Sequence, residues 1–111
     1  MAGKEIPKEI ADKVFEIIEL ARSSGKISKG ANEVTKILER NQAKLVVIAK
    51  DTTPPEIIMH IPLIAKEKEV PCVEVPSKKE LGTAAGINVP TSAVAVINEG
   101  EAKKIIEELK K

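Results

Sequence analysis

Gly30-Ala31-Asn32-Glu33-Val34-Thr35-Lys36 sets an amide, a carboxylate and an ammonium side by side at the start of an expected helix. Ala31 is small and Gly30 tolerates positive φ, so a bulky partner can approach the backbone where the first helical N–H groups lack intrahelical acceptors. Donors, an acceptor and a cation offered together suit a nucleic acid. Spacing alone leaves plainer roles open: Asn32 as a helix N-cap, Glu33 as a first-turn carboxylate favoured by the helix dipole, and Lys36 with Arg40 as a solvated i,i+4 face.

Bulk charge does not announce such a partner, because 18 Lys and Arg nearly balance 17 Asp and Glu. Any polyanion site must come from local segregation, and the segment from Arg22 to Lys44 supplies it. Arg22, Lys26, Lys29, Lys36, Arg40 and Lys44 stand there against Glu33 and Glu39, while Glu99, Glu101, Glu107 and Glu108 place compensating acid in the tail. Phe15 is the sole aromatic, which argues against RNA modules that stack bases on aromatic platforms. Cys72 is the only cysteine and His60 the only histidine, so neither an internal disulfide nor a His/Cys metal cluster is expected. His60 reads as structural or surface-exposed, and Cys72 as a small buried side chain in a strand. No run approaches the ~18 apolar residues a membrane span needs, and a signal peptide is not visible, so the expectation is a cytoplasmic protein of one domain, residues 1–111.

The elements that must position these groups follow from apolar periodicity. Ile10, Val14, Ile17 and Ala21 recur at helical spacing from about Pro7 to Ser24, with Gly25 as the stop. Val34, Ile37 and Leu38 mark a second helix ending near Asn41. Leu45-Val46-Val47-Ile48-Ala49 is a continuous apolar run typical of a strand covered on both faces. Further on, a helix from about Pro55 to Glu69 is expected to kink at Pro62. Cys72–Val75 and Ala93–Ile97 read as strands, Lys78–Ala85 as a short helix stopped by Gly86, and Glu101–Lys111 as the last helix. Alternating helices and buried strands imply an α/β fold, a three-layer α/β/α sandwich. A short edge strand between Gly25 and Gly30 would make its small central sheet mixed.

Five motifs in this order carry a resemblance. Gly30–Lys36, Pro55-Glu56-Ile57-Ile58-Met59-His60-Ile61-Pro62-Leu63, Val70-Pro71-Cys72-Val73, Ser77-Lys78, and Leu81-Gly82 with Ala84-Ala85-Gly86-Ile87-Asn88-Val89-Pro90 resemble the family of the archaeal ribosomal protein L-seven-Ae and its kink-turn-binding relatives. The resemblance implies a non-enzymatic α/β/α protein, without cofactor and monomeric. Its RNA partners would be kink-turns in ribosomal RNA, in box C/D and H/ACA guide RNAs and in ribonuclease P RNA, where it nucleates assembly with other ribonucleoprotein proteins.

A kink-turn contains tandem sheared G·A pairs whose guanines leave O6 and N1–H free. Asn32 can donate to O6 and Glu33 can accept from N1–H and N2–H. The resemblance makes Lys29, Gly30, Ala31, Lys36, Arg40 and Lys78 the phosphate or backbone contacts. Ile87, Asn88 and Val89, with Ile57 as an apolar neighbour, would meet the base flipped out of the bulge. Ile87 and Val89 could equally be core by spacing. Two positions depart from the family pattern: Thr53 stands where some relatives carry an acidic residue, and Asn41 where many have Gly. The rival from another class is a small nucleotide-binding α/β enzyme using the Gly82–Gly86 segment, which lacks the Gly-Lys-Ser/Thr ending of a phosphate loop.

Overall fold

Period-2 alternation in the strands decides which side chains enter which half of the core. The computed structural model describes residues 8–110. Four strands, β1 (Lys26–Lys29), β2 (Leu45–Ala49), β3 (Cys72–Val75) and β4 (Ala93–Asn98), form one sheet in the order β1-β4-β2-β3. β2 and β3 are parallel, whereas β4 runs antiparallel to both β1 and β2. The sheet is therefore mixed, and Lys26–Lys29 is its edge strand as expected.

On one face Leu45, Val47 and Ala49 of β2 join Val94 and Val96 of β4. They pack against Val14, Ile17 and Ile18 of α1 (Lys8–Ser24), Leu81 and Ala84 of α4 (Lys78–Ala84), and Ile106 of α5 (Lys103–Lys110). The alternate residues Val46, Ile48, Ala93 and Ala95 point the other way. They meet Val34 and Leu38 of α2 (Ala31–Glu39) and Ile61 and Ala65 of α3 (His60–Glu67). Two apolar clusters separated by one sheet make the three-layer α/β/α sandwich that the alternation predicts.

Three boundaries differ from expectation, each for a local reason. Pro62 does not kink a long helix, because the 55–69 stretch splits into a 3₁₀ turn, Pro55–Ile57, and α3. Pro62 is the third residue of α3, within the first turn, where a missing N–H removes no intrahelical bond. Similarly, a 3₁₀ turn at Gly100–Ala102 precedes α5, which begins at Lys103. α2 ends at Glu39 with Arg40 as C-cap, two residues short of the expected end near Asn41; Asn41 follows with φ 60°, a left-handed residue at the position where Gly is ordinarily favoured, and its N–H donates to the Leu38 carbonyl. Asn tolerates this conformation better than most residues, which accounts for the departure noted at that position. Pro7 and Lys111 lie outside the described residues, as does the side chain of Ile10. Among the described residues, no helix is long and apolar enough to cross a membrane.

Candidate nucleic-acid interface

Antiparallel pairing places the C-terminal end of β1 beside the N-terminal end of β4, with Lys29 opposite Val94. The chain leaving β1 enters α2 at once, and the 86–92 loop delivers the chain into β4. One backbone bond joins the two: Gly30 N–H donates to the Ala93 carbonyl at 2.8 Å. The same edge receives the C-terminal end of β2, where Ala49 N–H donates to the Ser92 carbonyl at 2.9 Å. β3, parallel to β2, ends there as well and leads through Ser77 into α4. Segments carrying Gly30–Lys36, Asp51–Ile57, Ser77–Lys78 and Ile87–Val89 thus converge on one end of the sheet. Loops beyond the C-terminal ends of parallel strands are a recurrent ligand-binding position in α/β folds.

The first wall is the start of α2. Gly30 is its N-cap, with φ 96° and ψ 145°, and no side chain caps the helix. An added Cβ at Gly30 would meet nothing within 4 Å, so glycine is required by the backbone angle and not by space. Asn32 consequently lies inside the first turn, exposed, and is not the N-cap that spacing alone allows. Glu33 and Lys36 face solvent together, their side chains 55% and 58% exposed, with Nζ 3.7 Å from Oε1. Such a loose exposed pair contributes ~0–1 kcal/mol, leaving both groups available to a ligand. Ala31 turns its methyl into the core with Val34 and Leu38, so only its backbone can meet a partner.

The second wall is the 86–90 loop. Ile87 N–H donates to the Gly82 carbonyl at 3.0 Å, and Thr91 N–H to the Lys78 carbonyl at 3.1 Å, so both ends of the loop are tied to α4. Between these ties the loop lies so close to the helix that a Cβ on Gly82 would stand 2.2 Å from the Val89 carbonyl oxygen. Val89 is 61% exposed, Asn88 is exposed and Ile87 half-buried, so the loop presents apolar surface outward instead of adding to the core. Ile57, at the end of the 3₁₀ turn, is 42% exposed. A hollow beside the loop is lined by Lys79, Thr83 and Ile87–Pro90.

α4 begins beside the second wall, its Lys78 carbonyl accepting from Thr91 N–H. Ser77 caps it by accepting from Glu80 N–H at 3.2 Å, and Asp51 accepts from Lys78 N–H at 2.8 Å. Lys78 is half-buried and Lys79 exposed. Sequence reasoning did not find Lys79 or Asp51: the first lines the loop hollow, and the second caps from 27 positions away, where no local spacing points to it. Lys29 is exposed at the end of β1. Arg40 is placed apart from the convergence, at the C-cap of α2, which by helical rise is about 12 Å along the axis from Asn32.

The Gly82–Gly86 segment supplies no phosphate cradle. It occupies the C-terminal half and stop of α4, away from the helix N-terminus where anions bind, and Gly82 is buried under the Val89 carbonyl. Cys72 is no nucleophile either. Burial first, and the nearby Glu74 charge second, push its thiol from 9.0 up to about 12. An unfolded thiol ionises near 9.0, so above that pH the unfolded state holds fewer protons and stability falls as pH rises toward 12. Urea midpoints measured below and inside that window should show the fall, and Cys72→Ala should diminish it.

The sequence model of the ribosomal protein L7Ae/L30e/S12e/Gadd45 family matches residues 12–106. A solved structure described as Giardia lamblia 15.5kD RNA binding protein superposes with a TM-score of 0.91 at 32% identity, covering 97% of this chain and 90% of that one. With the family model matched from residue 12 to residue 106 and a 32% identical structure superposed over 97% of its length, the chain belongs to the ribosomal protein L7Ae/L30e/S12e/Gadd45 family.

Proposed function

We propose that this chain is a non-enzymatic RNA-binding protein that recognises kink-turns, holding a sharply bent RNA between the start of α2 and the 86–90 loop. The observation that carries this reading is the convergence of exposed Asn32, Glu33 and Lys36 with exposed Asn88 and Val89 at one sheet edge, joined through the Gly30–Ala93 bond. The RNA-binding relative supports the class of ligand. Asn32 and Glu33 read the free edge of a sheared guanine, the amide donating to O6 and the carboxylate accepting from N1–H and N2–H. Bringing Glu33 near phosphates is electrostatically unfavourable, and the N-terminal end of α2 with Lys29 and Lys36 offsets it. Ile87, Val89 and Ile57 pack against the bulged base, replacing an aromatic platform. Arg40, farther along α2, would engage a phosphate beyond the kink.

In the cell the protein would occupy ribosomal RNA and, through the same motif, box C/D and H/ACA guide RNAs and ribonuclease P RNA, as a monomer on which other proteins assemble. A gel shift comparing a kink-turn with the same stem carrying Watson–Crick pairs in place of the sheared ones tests the reading. Preference for the kink-turn is expected, and equal affinity for both would overturn it. Lys78→Ala should weaken binding to both RNAs alike and flatten the dependence of log K on log salt by about one unit, as removal of one phosphate contact does.

A further inference from the structure

We infer that His60 is a positioning residue for the RNA surface, holding the 3₁₀ turn that bears Ile57 against the first turns of α2 through a hydrogen bond to Thr35; the inference rests on the kink-turn reading. Thr35 Oγ1 lies 2.8 Å from the Ala31 carbonyl and 2.7 Å from His60 Nε2. A hydroxyl carries one proton, and the Ala31 carbonyl can only accept, so Thr35 donates to Ala31 and accepts from His60. Nε2 of His60 therefore bears hydrogen, which fixes the tautomer of the neutral ring.

The chain of bonds has a direction. It runs from the ring at the first residue of α3, through the Thr35 hydroxyl, to the carbonyl of the first residue of α2. Asn32 and Glu33 follow Ala31 directly. At the other end, Ile57 closes the 3₁₀ turn and is linked to His60 by only Ile58 and Met59. The buried Ile58 and Ile61 between and beside them anchor that turn in the core shared with Val34 and Leu38. That packing fixes the distance between α2 and α3, and the bond between Thr35 and His60 adds a directional contact at its exposed rim. His60 itself is exposed, so its removal creates no cavity and its effect should fall on the alignment of Ile57 with Asn32 and Glu33.

The test is a double-mutant cycle read by kink-turn affinity. His60→Ala should weaken kink-turn binding by about three- to tenfold, the scale of one hydrogen bond, and leave the plain stem unaffected. His60→Gln, whose amide N–H can reach a similar place, should restore most of the loss. In a Thr35→Val background, His60→Ala should add nothing further. Wild-type affinity for His60→Ala, or an undiminished loss in the Thr35→Val background, would overturn the inference. Long-range ¹H–¹⁵N spectra of the free protein read the bond without RNA: protonation at Nε2 of the neutral ring is expected, and at Nδ1 would overturn it. Absence of kink-turn preference in the wild type would instead overturn the functional reading, whatever the spectra show.

Discussion

Glu33→Ala is expected to lower affinity for a kink-turn by about 1–3 kcal/mol, roughly 5- to 150-fold, on the scale of one specific base contact. Glu33 is the one acidic residue in the first turn of α2, and its two oxygens can each accept one N–H, so losing it would leave the guanine donors desolvated and unpaired. The plain stem should respond with the opposite sign. Removing a negative charge from a phosphate-facing surface relieves repulsion, so affinity for the Watson–Crick control should hold or rise slightly. Folding stability should change by less than about 0.5 kcal/mol, because the side chain is exposed and its ion-pair partner Lys36 sits at 3.7 Å. Filter binding to both RNAs with a urea melt of the variant checks all three statements. Unchanged kink-turn affinity would remove guanine reading by Glu33.

Gly82→Ala should be the most damaging small substitution in the second wall. The new methyl would sit 2.2 Å from the Val89 carbonyl oxygen and 3.3 Å from the Pro90 Cα, both backbone atoms that cannot swing aside as a side chain can. Either the loop lifts from α4 or the helix shifts, at a cost of about 1–3 kcal/mol in stability. Lifting the loop would strain the Ile87–Gly82 and Thr91–Lys78 bonds and displace Asn88 and Val89. Kink-turn affinity should therefore fall together with the urea midpoint. Thr83→Ala, one position along and exposed, serves as the control and should alter the midpoint little. If Gly82→Ala matched that control in both measurements, the close packing of loop on helix would not be what holds the second wall in place.

Periodicity carried the architecture a long way. The apolar run Leu45–Ala49 marks a strand covered on both sides, and in the structure its alternate residues feed the two separate clusters. Helical spacing in Val14, Ile17 and Ala21 likewise finds the buried face of α1. What spacing could not reach is anything made by residues far apart in the chain. Nothing local to Lys29 says that it lies opposite Val94, yet that register sets Gly30 beside Ala93 and so creates the site. The same limit hid Asp51 at the start of α4 and the bond between Thr35 and His60, across 27 and 25 positions. Pro62 failed for a different reason: a proline inside an apolar run reads equally as a kink or as a beginning, and only the capping arrangement around Met59 decides. Ile87 and Val89 show the remaining ambiguity, since apolar character cannot distinguish a half-buried loop residue from an exposed one.

The hydrogen bond from Gly30 N–H to the Ala93 carbonyl ties both walls to adjoining strands of one sheet, so strand pairing sets the gap between them as the steel sets a gauge block. A gauge measures and does not grip. On the kink-turn reading, selectivity among RNAs would follow from how cheaply each sequence reaches the width that strand pairing sets.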